Sequence, residues 1–546
     1  MVAMSGRPRK LSLSVFNLVF NNFFKKNIVK TFNYLKVGAL LIGMLVTGSC
    51  NDEIMDYPDP NAKSEDSFFK TPAEIEQGAF AIYSSFFHNN AFTWQLPEVF
   101  DGLANEFEGR PSSAGEVDIQ SVLRYEHTNS HPPTEKFWKL LYRMIMRSNL
   151  VLDKAAKYID TNGDDPIVSR SLGDAHFLRG WAYSQLAFHW GSVPLRTTYV
   201  VEGNGDLARS PVADIWAQAE ADFITAQTLL PETWDAAFVG RATNGAATGF
   251  LGKLYLYNKR YAEAAAEFAK MDGKYSLLPG SQWDDNFGET NENNQESVFE
   301  IQCQNTPGTN QFSSMFGDPE EAGNPGRQNG HAQLYSWTDW ANWSFQPRRV
   351  PDFQYTDEAG VPYVDPRAPL TFYGGAIGDQ DYCDNCPSGP KPFDFATLGY
   401  WYRKLTNKEN KPNEDNIQTG NNIRLMRYSD VMLMRAESLI LQGQVSEGIG
   451  FINQVRIRIG AFPYNDAYTQ NEAFELLQRE RQLELRGEMH RYNDIKRWGI
   501  LKETMNIELQ AMFGTPNVQD KHYLFPIPQK ELDTNKDFGP VTDSWN

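Results

Sequence analysis

The sequence predicts a mainly α protein, built from amphipathic helices stacked as repeats, with a loop-rich, partly β insertion in its second half. Three observations predict it. Apolar residues recur at three-and-four spacing through much of the first 280 positions, and three segments carry small and aromatic residues at matched offsets. Residues 281–420 abandon that period for Asn, Gly, Pro and aromatic side chains.

The helices follow in order. Residues 75–87 form a first helical run before the polar stretch His88-Asn89-Asn90. Residues 135–158 place Phe137, Leu140, Leu141, Met144, Ile145, Asn149 and Leu152 on one face, and residues 175–190 do the same with Phe177, Ala182, Leu186 and Trp190. Ser210 and Pro211 suit an N-cap and first turn for the run Val212, Ile215, Trp216, Ala219, Phe223, Ala226 and Leu230, which Pro231 stops. Gly252, Tyr255, Tyr261, Ala264 and Phe268 have the spacing of a tetratricopeptide helix-turn-helix. Ala436, Leu439, Val445, Gly448 and Ile452 repeat those offsets, and Gly180 and Tyr183 match the first two. Small residues there let paired helices approach closely.

The N-terminus reads as an export signal. Lys25, Lys26, Lys30 and Lys36 lead into the apolar run 37–46, and Thr47, Gly48 and Ser49 precede Cys50 as a lipobox-like site. The run is about half the ~20 residues that span a bilayer, so residues 1–49 are expected to be removed and Cys50 acylated. The chain's net charge is −18, and that leader holds basic residues and no acidic ones, so the mature chain is more acidic still. Such a balance argues against binding nucleic acid over broad surfaces. Cys303, Cys383 and Cys386 are too few to staple a body of this size. Cys383 and Cys386 form a C-x-x-C in a loop-like setting, read as a local disulfide, with free thiols or a metal or redox role as alternatives.

Glu480, Arg481, Glu484, Arg486, Glu488, Arg491, Asp494, Lys496 and Arg497 alternate sign as along a helix. Opposite charges surround the acidic residues, so structural ion pairs are expected rather than catalytic carboxylates. No metal-protease, nucleophile-elbow, P-loop or dinucleotide motif is present. Tyr335, Trp337, Trp340 and Trp343 cluster beside Asn342, Gln346 and Arg348. Aromatic faces that take the C–H face of a sugar, with amides and Arg for its hydroxyl edge, make this the leading ligand-site candidate. Trp138, Trp181, Trp190, Trp216 and Trp498 lie in helical patterns and are expected in the core.

The segments FWKLLYRMIMRSNL (137–150), FLRGWAYSQLAFHWGSVPL (177–195), RATNGAATGFLGKLYLYNKRYAEAA (241–265), RLMRYSDVMLMRAESLILQG (424–443), ERQLELRGEMHRYNDIKRWG (480–499) and HYLFPIPQKE (522–531) together resemble the SusD/RagB family of surface glycan-binding lipoproteins. The resemblance covers nearly all of the mature chain and implies a SusD-like fold with tetratricopeptide-like repeats. It further implies an outer-membrane lipoprotein, held by its lipid anchor, that sits as a lid on a SusC-like TonB-dependent transporter. Asp52 and Glu53 resemble the family's surface-export signal. A loop near Trp94 contributes to the glycan site in the family, which adds Trp94 to the ligand candidates, with Asn105 and Arg110 as polar neighbours. The implied division is signal peptide 1–49, tether 50–70, helical region 71–280 and RagB/SusD region 281–546, with the binding loops at about 281–420. The expected protein is a cofactor-free, non-catalytic oligosaccharide binder. A peptide-binding lipoprotein of a RagAB-type importer is the alternative, followed by a surface glycoside hydrolase and a structural repeat adaptor.

Overall fold

Short polar side chains and prolines set the helix starts of this chain. Thr71 accepts the backbone N–H of Glu74 while the Glu74 carboxylate accepts that of Thr71, and Pro72 opens the helix behind them. Asp165 accepts the N–H groups of Ile167 and Val168, with Pro166 in the first turn. Thr469 and Glu472 repeat the reciprocal cap. In the computed structural model, residues 67–110, 114–200, 205–304, 329–337, 341–357, 359–382, 391–406, 419–465, 467–540 and 545 are described. The signal, most of the tether, Cys50, Trp340, Cys383 and Cys386 lie outside them.

The principal helices are α1 (Pro72–Tyr83), α2 (Leu96–Leu103), α3 (Pro132–Asn162), α4 (Pro166–Trp190), α5 (Val212–Leu229), α6 (Asn244–Tyr257), α7 (Tyr261–Ala269), α8 (Tyr428–Leu441), α9 (Val445–Arg458), α10 (Gln470–Glu484), α11 (Arg491–Arg497) and α12 (Leu501–Phe513). None of the described helices is long and apolar enough to cross a membrane. The strands that matter for the site are β1 (Phe107–Gly109), β2 (Ser297–Ile301), β3 (Trp343–Phe345), β4 (Phe372–Tyr373), β5 (Trp401–Tyr402) and β6 (Ile423–Arg427). They pair antiparallel as β1 with β3, β2 with β6 and β4 with β5.

The predicted repeats fall on the helix pairs α4/α5, α6/α7 and α8/α9, and their glycines act as expected. A Cβ at Gly252 would stand 2.6 Å from the Phe268 ring, one at Gly180 3.2 Å from the Ala219 carbonyl, and one at Gly448 2.9 Å from the Ala436 carbonyl. Only hydrogen at these positions lets the paired helices close. The core is one continuous cluster in which Phe86, Phe92, Phe137, Phe177, Trp181 and Trp190 interlock, and Phe69–Asn546 forms one compact unit. Trp138 is buried with them, while Trp216 and Trp498 pack at the core's margin.

Two local expectations are corrected. Ser210 does not cap α5: it pairs antiparallel with Val193, and Pro211 holds the cap position with no side-chain hydrogen bond. The charged run 480–497 is not one helix. It breaks after Glu484, where Gly487 and Met489 take positive φ values of 73° and 63°, and resumes at Arg491.

Helix approach at Gly252 predicts a stability contrast. Gly252→Ala is expected to lower unfolding free energy by about 1–3 kcal/mol through overpacking. Gly450→Ala, at a helical position of α9 with nothing near its missing Cβ, is expected to raise it by about 0.4–1 kcal/mol. Denaturant midpoints would measure both; equal effects would contradict the packing argument.

Candidate functional site

Neighbouring residues of a strand face opposite ways, and that alternation divides the β4/β5 ribbon between two aromatic clusters. Phe372 and Tyr402, partners in the register, point into the main core against Phe345 and Phe353. Tyr373 and Trp401, the other pair, point away and build a satellite cluster with Phe393. The turn after β4 needs glycines: Gly374 and Gly375 have φ of 94° and 69°, and Gly375 leaves room for the Tyr400 ring. Asp379 closes that turn by backbone bonds with Gly374 and Phe372, and Arg403 donates to its carboxylate at 2.8 Å.

Trp337 lies at the centre of this cluster. Its ring meets Tyr373 at 5.0 Å, Tyr382 at 5.2 Å and Phe393 at 4.9 Å, all edge to face, with Trp401 at 6.4 Å. Such geometry holds an indole in a fixed orientation. Trp337, Tyr382 and Tyr400 remain half-buried, and Phe395 beside Tyr400 is exposed. Polar groups border the rings. The Arg110 guanidinium stands 5.6 Å over Trp401 and donates to the Leu398 carbonyl, and the Lys391 ammonium lies 5.8 Å from the Tyr382 ring. The result is a rigid aromatic platform, partly open to solvent and edged by cations and by the acidic Asp381 and Asp394. Its chemistry suits a ligand with an apolar ring face and a hydroxyl edge.

Of the predicted site residues, Trp337 alone among those described combines an accessible ring with this platform. Tyr335, Asn342 and Trp343 are buried, which corrects their expected ligand-facing role. Tyr335 packs edge-on against Phe107 and Tyr402. Trp343 packs against Phe107 at 4.7 Å and donates its indole N–H to Glu98. The Trp337-to-Trp343 spacing does not present one face, because the chain passes into β3, whose side chains are enclosed by β1 and the core. Trp94 is corrected likewise: it is buried in a π-helical turn, Ala91–Gln95, under Gly330, where a Cβ would stand 2.6 Å from its ring. Arg348 is half exposed, but its guanidinium pairs with Glu508 at 3.1 Å. Asn105 donates to the same carboxylate and accepts from Gln346, so these polar candidates bind one another. Arg110 is the one that reaches the platform.

Tyr373, Tyr382, Phe393 and Trp401 were not singled out as ligand residues from sequence. The signal was present in Phe372-Tyr373-Gly374-Gly375 and Tyr400-Trp401-Tyr402, two aromatic doublets whose alternation sends one ring of each outward. The catalytic alternative finds no support in the charged run. Glu480 is held by Arg367 and Arg456 at 2.7 and 2.8 Å, and Glu484 by Arg367, Arg427 and Arg458, all buried. Their partners come from other elements rather than from the run itself. No metal-ligating cluster occurs among the described residues.

Below the platform, Glu98 is buried against Trp343. Burial pushes its carboxyl well above the ordinary carboxylate range, against the opposing hydrogen bond from Trp343. The folded protein therefore holds this proton to higher pH than the unfolded chain does, and over that range unfolding releases it. Stability falls as pH rises above about 4.3, the unfolded value. Glu98→Gln is expected to gain stability relative to wild type as pH rises above about 4.3 in denaturant titrations. A difference independent of pH would contradict the upward shift.

Two family models match the chain: the SusD family over residues 269–539, and the family described as starch-binding, associating with outer membrane, over residues 57–256. SusD-like protein P25 of Formosa agariphila is 23% identical over 535 residues, covering 92% of this chain and 97% of that protein. A SusD superfamily protein from Bacteroides vulgatus superposes with TM-score 0.72 at 27% identity, covering 87% of this chain and 99% of that one. A laminarin-binding SusD-like protein has TM-score 0.67 at 22% identity, covering 86% and 99%. Surface glycan-binding protein A of Bacteroides thetaiotaomicron, in complex with laminarihexaose, has TM-score 0.68 at 19% identity, covering 87% and 99%.

Proposed function

The chain belongs to the SusD/RagB family, and from that premise we propose that it captures oligosaccharides at the outer cell surface and passes them to a SusC-like TonB-dependent transporter. The observation that carries the reading is the half-buried Trp337, fixed by three edge-to-face rings and edged by polar groups. A pyranose stacks its C–H face on an indole or phenol and turns its hydroxyls to neighbouring polar groups. Glycan binding by a laminarin-binding relative and by a laminarihexaose complex of the same fold supports this choice over peptide capture.

The site works by binding alone. Its rings are held before ligand arrives, so little ordering opposes association, yet an open platform encloses only part of a flexible sugar. Affinity is accordingly modest, and modest affinity suits a protein that must release its cargo. Acylation at Cys50 would hold the body at the membrane, and the partner barrel would then receive sugar concentrated at its mouth.

These parts separate in one assay. Binding of fluorescently labelled neutral oligosaccharides is measured on cells and on purified protein. Trp337→Ala and Tyr382→Ala are expected to lower affinity at least tenfold in both settings. Cys50→Ala is expected to lose the cell-bound signal while the purified protein binds normally. Unchanged sugar affinity in both platform variants would reject the site, and binding of peptides instead of any sugar would favour the importer of RagAB type.

A further inference from the structure

A second groove lies apart from the platform and shares no lining residue with it. It encloses about 500 Å³ between the α5–α6 connection, the turn after α7 and the segment entering β2. That volume falls within the ~300–1,000 Å³ usual for small-ligand sites. We propose that this groove is a second binding site for neutral oligosaccharide, a proposal that rests on the sugar-binding reading above.

Trp234 supplies the ring. It is partly buried and firmly held: its indole N–H donates to the Ala242 carbonyl at 2.8 Å, and the Arg241 guanidinium lies 3.8 Å from its ring. Arg241 is itself fixed by Asp174 and Glu76. Opposite the loop, Tyr275 reaches the groove because Gly245 has no Cβ; one there would stand 2.2 Å from the Tyr275 hydroxyl, which instead bonds Thr243 at 3.2 Å.

The charges identify the ligand class. Four charged side chains line the groove, and each is paired: Glu232 with Lys274 at 2.8 Å, Arg241 with Asp174 and Glu76, and Glu300 with Arg424 at 3.3 Å. Among the residues that line the groove no cation or carboxylate is left without a partner; a further cation, Arg170, has its guanidinium 5.6 Å over the Trp234 ring. The remaining polar lining is amide and hydroxyl, chiefly Asn293, Asn294 and Gln295. Asn293 and Gln302 exchange two amide hydrogen bonds at 2.9 and 3.0 Å; Gln302 is otherwise taken up by the Glu300 carbonyl and Asn422, while Asn293 keeps one further donor and one acceptor. An anchored indole, a phenol and the Asn293 and Gln295 amides, in a cleft whose charged lining is paired within the protein, fit a sugar better than a peptide, whose termini and ionised side chains would find no free partner in that lining.

The test uses the full chain labelled with 5-fluorotryptophan in a sugar-free detergent, with the Trp234 and Trp337 fluorine resonances assigned by Trp234→Phe and Trp337→Phe. Laminarihexaose, cellohexaose, maltohexaose and xylohexaose are titrated in turn. At least one is expected to shift the Trp234 resonance saturably. That shift should persist in Tyr382→Ala and weaken at least tenfold in Thr233→Met, which fills the groove from an exposed position. The other tryptophan resonances report whether each variant is folded. A shift at Trp337 with Trp234 unmoved would overturn the second site and leave the platform standing; no movement at either would overturn both. Movement of Trp234 by trialanine and by no sugar would assign the groove to peptides and overturn the proposal.

Discussion

A buried ionic lattice around the end of α10 is the constraint on which the architecture turns. Glu480, Glu484 and Glu488 are met by Arg367, Arg427, Arg456, Arg458 and Lys404 at distances of 2.6 to 3.2 Å. Burial raises the Glu488 carboxyl, but Arg427 and Lys404 outweigh it and hold the group down to about 2; Glu484 is held below its ordinary value in the same way by Arg458, Arg427 and Arg367. Removing one member strands the rest in a low-dielectric interior, at a cost of about 3–5 kcal/mol. The lattice therefore works less as a source of net stability than as a geometric clamp.

What it clamps explains why a loop-rich region can present a precise surface. Lys404 and Arg403 directly follow β5. Lys404 donates to the Glu484 carbonyl and to Glu488, while Arg403 grips Asp379 in the turn after β4 and Asp284. Arg367 stands just before β4 and carries Asp365 with it. Both strands of the platform ribbon are thus fastened to the helical body within a few residues of Tyr373 and Trp401. Arg486, in the turn between α10 and α11, reaches Glu106 beside β1 and Asp352 in the 3-10 helix Pro347–Phe353 that follows β3. Short strands that would be marginal alone become a fixed support for Trp337.

The helical half was legible because its signals are local. Periodicity and the small residues Gly180, Gly252 and Gly448 each state a helix or a close crossing without reference to distant sequence, whereas the one cap read from sequence, Ser210, pairs instead with Val193. The site was legible only in part. Of the aromatics that the sequence singled out, Trp337 stands on the platform proposed as the site. Trp343 and Tyr335, only a few residues away, are enclosed by β1 and β5, partners distant in sequence whose pairing no local pattern announces. Trp94 shows the same limit, since its cover comes from Gly330. The acidic run behaved as its composition suggested, but its arginine partners arrive from β6, α9 and the segment before β4. Long-range ionic pairing leaves little trace in spacing.

Trp337 and the rings around it are proposed as the surface that takes sugar. A crystal structure of the protein with the neutral oligosaccharide that binds it most tightly tests this most directly. A pyranose ring is expected to lie stacked on Trp337 or Tyr382, with hydroxyls toward Arg110 or Lys391. A sugar bound elsewhere on the body, with the platform bare, would contradict it.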